Sequence, residues 1–274
     1  MTSFPTFEEL RRQIQKNHYA SVPFPLATSH IQEAVTSFFE FLKEPKSIKE
    51  HMQMSIAPEH RRGDVGYTKR QACDHLYNDN KEFFHFHPAL FDTYASFLND
   101  HPVVLDFMKK ALPVWRGTFE VMSQILKRFE AHSQGIHQKV FGSPTPHIVL
   151  RFLKYDWSKA GRYLAKPHFD AGSFTLGISE SSPGLRIGKD PDTLRLVTYQ
   201  EGHALFMLSG NVEKVMDSHE LSSGWHDVIQ LDHTCIDQPF SRWAVVAFID
   251  GHGVDTLPSC ELRRFWTEEQ RNTS

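Results

Sequence analysis

Apolar residues in the first half of the chain recur at the three- and four-residue spacing of an amphipathic helix. The clearest run lies within Ser29–Leu42, with apolar residues at Ile31, Ala34, Val35, Phe38, Phe39 and Leu42. Phe91–Leu98 and Pro102–Phe129 show the same spacing. We expect Pro102–Phe129 to be the longest helix and to break near Pro113, because proline removes a helical hydrogen bond. Residues 1–135 are therefore predicted to be mainly helical.

The second half changes to short segments rich in β-branched and aromatic residues, separated by clusters of Gly, Pro, Asp and Ser. These segments predict short strands of a sandwich or barrel. They are His147–Tyr155, Ser173–Ile178, Leu194–Tyr199, Ala204–Leu208 and Arg242–Ile249. We expect a mainly β fold, with a helical N-terminal layer packed on a jelly-roll core at residues 145–250 and a C-terminal tail at 251–274. Since no linker or repeat divides the chain, residues 1–274 are predicted to form a single domain.

Composition and charge exclude several classes of protein. The 274 residues are 40% hydrophobic and 23% charged, which is ordinary for a globular protein with a sizeable core. A net charge of -3 gives no electrostatic reason to bind nucleic acid or an anionic membrane. The apolar run Trp243–Ile249 is far shorter than the ~20 residues that span a bilayer, and the N-terminus lacks a secretory pattern. We therefore expect no nucleic-acid or membrane partner.

The cysteines indicate the compartment. Cys73, Cys235 and Cys260 are odd in number and widely spaced, so a disulfide framework and a CxxC zinc site are both disfavoured. Free cysteines fit a reducing environment. We expect a cytoplasmic protein.

A candidate metal site begins at His168 and Asp170. On a strand, residues two apart point to the same face, so this pair can direct an imidazole and a carboxylate at one ion. The pair alone carries little weight, because a chain with 17 histidines contains such a pair by chance. His233 adds a third ligand after several predicted strands, and a jelly roll brings distant strands together. Two histidines and one carboxylate form the facial triad of non-haem iron(II) oxygenases, with three positions left open.

Arg242 begins the last strong strand, nine residues after His233. Its guanidinium could bind the carboxylate of a ligand bidentately inside the barrel. Taken alone, Arg242 is better explained by pairing with an internal acid such as Asp232 or Asp237.

Several segments together resemble a known family. They are similar to the isopenicillin-N-synthase-like branch of the iron(II)/2-oxoglutarate-dependent dioxygenases. The resemblance is carried by His168-Phe-Asp-Ala-Gly-Ser-Phe-Thr-Leu176, Pro183-Gly-Leu-Arg-Ile187, Glu201-Gly-His-Ala-Leu-Phe-Met-Leu-Ser-Gly-Asn211, Leu150-Arg-Phe-Leu-Lys-Tyr155, Gly66-Tyr67, Asp79-Asn-Lys-Glu-Phe83, and His233 followed by Arg242-Trp-Ala.

The resemblance implies a double-stranded β-helix core wrapped by α-helices. It implies Fe(II) bound by His168, Asp170 and His233, with 2-oxoglutarate as co-substrate and dioxygen as oxidant. Arg242 and Tyr155 would hold the far carboxylate of 2-oxoglutarate. The implied reaction is oxidation, by default hydroxylation, of a C–H bond in a small molecule.

The chain departs from the family pattern at two positions near the co-substrate. Ala244 replaces the serine of the R-x-S motif, which removes a hydroxyl donor to the co-substrate carboxylate. Leu153 replaces the asparagine that precedes the family's tyrosine by two residues. Hydrogen bonds to charged groups contribute about 1.5–3 kcal/mol each, so these changes bear on 2-oxoglutarate more than on the metal.

Three alternatives stay open. His226 rivals His233 as the third ligand, although the spacing to Arg242 favours His233. The protein could be an iron oxidase of the same fold that does not use 2-oxoglutarate, or a metal-free jelly-roll binding module.

His85 and His87 are interpreted as structural or pocket-lining residues, and Arg186 and Arg195 as surface charges.

Overall fold

The computed structural model describes residues 3–56, 64–71, 80–157, 163–216, 220–231 and 239–254. Seven α-helices lie within these ranges. They are α1 (Phe7–Asn17), α2 (Thr28–Leu42), α3 (Lys46–Lys49), α4 (Leu90–Thr93), α5 (Ala95–Asp100), α6 (Pro102–Phe129) and α7 (Ile136–Phe141), with a single 3₁₀ turn at Val212–Lys214. No helix among the described residues is long and apolar enough to cross a membrane.

Twelve strands in the described ranges form two antiparallel sheets. They are β1 (Ala20–Pro23), β2 (Gln53–Ser55), β3 (Asp64–Arg70), β4 (Lys81–Phe86), β5 (Ile148–Tyr155), β6 (Tyr163–His168), β7 (Phe174–Glu180), β8 (Leu185–Gly188), β9 (Arg195–Leu196), β10 (His203–Leu208), β11 (Trp225–Ile229) and β12 (Arg242–Ile249). The major sheet has the order β1-β10-β7-β12-β5-β4-β3-β2, and the minor sheet has the order β6-β11-β8-β9. The predicted mainly β fold with a jelly-roll core is confirmed.

The N-terminal half contains helices α1 to α6, and it also supplies four strands, β1 to β4, to the major sheet, which the sequence did not predict. β1 and β2 have four and three residues, which is too short for an alternating pattern to be recognised. Five of the six residues of β4 are buried, so its sequence does not alternate either. Both halves of the chain therefore build one sheet.

Three other elements differ from their predictions. The predicted break at Pro113 is wrong, since α6 is one helix of 28 residues that includes Pro113. Pro113 and Lys109 both face solvent, so water can satisfy the carbonyl that loses its helical partner. Phe91–Leu98 is divided between α4 and α5, and only two residues of Leu194–Tyr199 form a strand, β9.

The two faces of the major sheet have different roles. One face packs under the helices, where Phe38 of α2 and Phe107 of α6 contact the ring of Phe152 on β5. The opposite face, here called the inner face, packs against the minor sheet and contributes to a second apolar cluster. Along β12, Trp243, Val245, Ala247 and Ile249 belong to the helix-side core, whereas Ala244 belongs to the cluster between the sheets. By strand alternation, Arg242 lies on the inner face with Ala244.

Candidate metal centre

The minor sheet positions two histidines beside one aspartate. His168 ends β6 and Asp170 follows two residues later, while His226 lies on β11 directly opposite His168 in the strand register. His168 Nε2 is 3.7 Å from Asp170 Oδ1, and His226 Nε2 is 3.6 Å from Asp170 Oδ2. One ligand atom from each residue lies within 4.8 Å of the others. Metal–ligand bonds of roughly 2.1 Å place neighbouring ligand atoms about 3–3.5 Å apart, so the donor set fits a single ion after a small contraction.

Backbone carbonyls orient both imidazoles. His168 Nδ1 is 2.6 Å from the carbonyl oxygen of Lys166, and His226 Nδ1 is 3.4 Å from that of Gly224. A carbonyl can only accept, so Nδ1 is the donor in each contact, and Nε2 is the ring atom that faces the Asp170 carboxylate. Metal-binding histidines are commonly oriented by this kind of outer contact.

The electrostatics of Asp170 suit a cation. Burial opposes ionisation, but the His226 and His168 rings and a hydrogen bond from Thr175 hold the pKa of the Asp170 carboxyl well below its usual range. Thr175 Oγ1 donates to Asp170 Oδ2 at 2.8 Å and also contacts Ser209 Oγ at 2.8 Å. The carboxylate is therefore ionised and held in place.

Burial also determines the charge of His226. It lowers the pKa of the His226 imidazole, although the Asp170 carboxylate beside it acts in the opposite direction. The neutral ring is the form that binds a metal.

The predicted pair of His168 and Asp170 is brought together, and the rival imidazole of His226 completes the group. The prediction for His233 falls on a residue outside the described ranges. The spacing argument counted nine residues back from Arg242, whereas His226 precedes Arg242 by 16. The register between β11 and β6, which spacing along the chain does not reveal, places His226 opposite His168. The sequence offered His226 only as the rival ligand, in the segment Gly224-Trp-His-Asp227.

Arg242 and Tyr155 are register neighbours on β12 and β5, as their predicted shared role requires. The Arg242 side chain is 4% exposed, and its guanidinium bonds to the Glu180 carboxylate and donates from Nε to the carbonyl of Ser182 at 3.1 Å. An internal acid is thus its partner in this structure. That acid is Glu180, whereas the suggested Asp232 and Asp237 lie outside the described residues.

A β-bulge explains why the sequence did not reveal Glu180. On β7, Gly177 pairs with Val246 and Ser179 pairs with Val245, so Ile178 is the additional residue. The extra residue shifts the alternation and turns Glu180 to the inner face. Burial raises the pKa of the Glu180 carboxyl, and Arg242 opposes that effect. The hydroxyl of half-buried Tyr199 occupies the place where Gly177 lacks a side chain.

A cavity of about 280 Å³ borders the same inner face. Its lining includes Gly172, Arg151, His85 and Phe248. Phe248 is the register partner of Thr175, whose hydroxyl holds Asp170. The cavity is therefore adjacent to the residues that support the candidate ligands, and His85 lines a pocket as expected.

Comparison of the sequence alone identifies no relative, since no protein-family model matches and no curated protein shows significant similarity. Comparison of the structure does. AtDAO1, a dioxygenase for auxin oxidation from Arabidopsis thaliana in complex with 2-oxoglutarate, matches with a TM-score of 0.68 at 14% identity over 93% of this chain and 91% of that chain. A putative oxygenase from Shewanella oneidensis matches with a TM-score of 0.64 at 16% identity over 97% and 94%. JOX2, in complex with 2OG, Fe and JA, matches with a TM-score of 0.64 at 16% identity over 93% and 74%.

These similarities extend over nearly the whole chain, at identities that establish architecture. They confirm the fold that the resemblance of the sequence segments implied, and the same fold here carries two histidines and one carboxylate at the minor sheet. The chain has the fold of the iron(II)/2-oxoglutarate-dependent oxygenases.

Proposed function

We propose that the protein is a non-haem iron(II) oxygenase that couples decarboxylation of 2-oxoglutarate to oxidation, by default hydroxylation, of a C–H bond in a small molecule. The observation that carries the proposal is the meeting of His168, Asp170 and His226 within 4.8 Å. The ionised Asp170 carboxylate and the hydrogen bonds that orient the three side chains also favour metal binding. Solved structures of the same fold bind 2-oxoglutarate and iron.

The iron would be held by His168, Asp170 and His226. Two imidazoles and one carboxylate on one side of an ion are the set associated with Fe(II) oxygenases, in which open positions admit co-substrate and dioxygen. When bound, the iron with 2-oxoglutarate and dioxygen supplies the oxidising chemistry. The chain orients the ligands, lowers the pKa of the His226 imidazole through burial and holds Asp170 ionised.

Arg242 and Tyr155 would hold the far carboxylate of 2-oxoglutarate. Arg242 binds the Glu180 carboxylate on the inner face, which supports a role for its guanidinium as a donor to a carboxylate there. Binding of the co-substrate there requires Glu180 to give up that contact. Ala244 lies on the same face and offers no hydroxyl, so Arg242 contributes most of the charge recognition.

The finer features of the protein belong to the same proposal. We place it in the isopenicillin-N-synthase-like branch, as one oxygenase domain of residues 1–274, since strands from both halves share the major sheet. The three widely spaced cysteines support a reducing cytosol.

The test of the metal site must distinguish His226 from His233 as the third ligand. Titration with Co(II), followed by its visible absorption, compares wild type with His168→Ala, His226→Ala and His233→Ala. His30→Ala is the matched control, because His30 is exposed on α2. We expect loss of His168 or His226 to weaken metal binding by more than about 100-fold, since removal of an outer partner alone costs 10–100-fold. His233→Ala and His30→Ala should behave as wild type.

Other outcomes are informative. Loss of cobalt binding in His233→Ala with retention in His226→Ala would transfer the third ligand to His233. Equal, negligible uptake by all proteins would support the metal-free binding module.

A same-fold oxidase without 2-oxoglutarate is favoured by one observation, the existing pairing of Arg242 with Glu180. Release of succinate by the iron-loaded protein without added substrate distinguishes the two. Succinate release that is lost in Arg242→Met supports the oxygenase. Metal binding without succinate release and without 2-oxoglutarate affinity supports the oxidase.

A further inference from the structure

The cavity beside the candidate metal centre combines cations with apolar walls. Arg151 and Arg70 contribute positive charge, and Phe83, Val65, Val149 and Phe248 contribute apolar surface. Asp250 is the single carboxylate among the described residues of the lining. Its Oδ1 accepts hydrogen bonds from the backbone nitrogen of Ser173 at 2.7 Å and from the Ser173 hydroxyl at 2.9 Å. The described part of the lining therefore carries two arginines and one carboxylate.

The Arg151 guanidinium is held in a defined orientation. It lies 4.6 Å from the centre of the Phe83 ring and 4.5 Å from that of Phe248. Its Nε donates to His85 Nε2 at 2.8 Å. Cation–π contacts and this hydrogen bond fix the plane of the guanidinium, so an anion can bind without first ordering a flexible side chain.

The position of Arg151 connects it to the proposed chemistry. Arg151 pairs in register with Val246 on β12, two residues before Phe248, and Phe248 is the partner of Thr175. Gly172, two residues after Asp170, belongs to the same lining. Gly172 and Phe248 therefore place the cavity next to the segment that carries the proposed iron ligand Asp170 and to the strand that carries Thr175.

We propose that this cavity is the substrate site and that it selects small organic carboxylates with an apolar body, whose carboxylate binds Arg151. This inference rests on the proposed function for its reaction, but the selection of an anion rests on the cavity. Phe83 and Phe248 flank the carboxylate site, and the valines Val65 and Val149 contact the apolar body. Arg242 stays assigned to the co-substrate.

Binding is tested with the iron-loaded protein and 2-oxoglutarate under anaerobic conditions, by calorimetry and thermal shift. The probes are three acids and their primary amides, namely phenylacetate and phenylacetamide, cinnamate and cinnamamide, and hexanoate and hexanamide. Each amide keeps the shape of its acid and lacks the charge. We expect wild type to bind acids more tightly than amides by roughly 10- to 150-fold, the effect of hydrogen bonds to a charged group.

Three variants locate the preference. Arg151→Gln should lose the acid preference. Arg151→Lys keeps the positive charge but cannot bind a carboxylate through two parallel N–H groups. It should therefore fold and retain a reduced preference for acids over amides. Arg195→Gln is the matched control, because Arg195 is exposed on β9, and it should behave as wild type.

The inference is overturned if wild type shows no acid preference, including no binding of any acid at millimolar concentration, or if Arg151→Gln keeps the preference. It is also overturned if Arg151→Gln loses affinity for 2-oxoglutarate, since Arg151 would then bind the co-substrate. Cobalt titration of the same proteins separates this failure from that of the proposed function. An acid preference in a protein that binds no metal would leave the cavity assignment standing and remove the oxygenase.

Discussion

The ion pair of Arg242 and Glu180 yields a prediction with two opposite effects. The side chains of Arg242 and Glu180 are 4% and 7% exposed, so Glu180→Gln leaves a positive charge buried with a neutral partner. Breaking a buried pair by removal of one charge costs about 3–5 kcal/mol. Glutamine keeps the size of the side chain and one acceptor, so we expect the free energy of unfolding to fall by about 3 kcal/mol.

The second effect is on the co-substrate. In wild type, 2-oxoglutarate must displace the Glu180 carboxylate from Arg242, whereas in Glu180→Gln it finds an uncompensated cation. We therefore expect the variant to bind 2-oxoglutarate more tightly than wild type. A ligand at 100 times its dissociation constant stabilises a protein by about 2.7 kcal/mol, so saturating co-substrate should recover most of the lost stability.

Urea unfolding of the iron-loaded protein, with and without 2-oxoglutarate in the absence of oxygen, measures both effects. Glu201→Gln is the matched control, because Glu201 is exposed at the start of the turn before β10. If Glu180→Gln without co-substrate is as stable as wild type, the Glu180 carboxylate does not compensate the buried charge of Arg242. Weaker or unchanged 2-oxoglutarate binding in Glu180→Gln would refute Arg242 as the co-substrate anchor.

Three further predictions concern single side chains. Thr175→Val removes the hydrogen bond to Asp170, and we expect cobalt affinity to fall about 10- to 100-fold in a competitive titration; an unchanged affinity would contradict the supporting role. Gly177→Ala places a methyl group against the Tyr199 hydroxyl, and we expect the free energy of unfolding in urea to fall by about 1–3 kcal/mol. Adding Tyr199→Phe should recover part of that stability, and no recovery would assign the loss to another contact. Burial lowers the pKa of His87 to about 4 from 6.5, so the unfolded chain binds more protons as the pH falls through this interval, and stability is lost. Between about pH 7 and pH 5, wild type should lose about 2 kcal/mol more than His87→Asn, and parallel curves for the two proteins would show that His87 does not titrate in this way.

Local patterns in the sequence determined much of the fold and half of the site. The alternation and composition of residues 145–250 predicted a β core, because side chains on a strand point alternately to two faces. The same rule placed His168 and Asp170 together and put Arg242 on an inner face. These features depend on residues close in sequence, so they can be read without knowledge of the tertiary structure.

Three features were decided only by the tertiary structure. His226 joined the site because β11 pairs with β6 in a register that sets it opposite His168, and spacing along the chain does not encode that register. Glu180 reached Arg242 because a bulge on β7 shifts the alternation by one residue. Strands β1 to β4 joined the major sheet although their short or wholly buried segments show no alternation. In each case the controlling contact joins strands far apart in sequence, and only the folded arrangement specifies which residues meet.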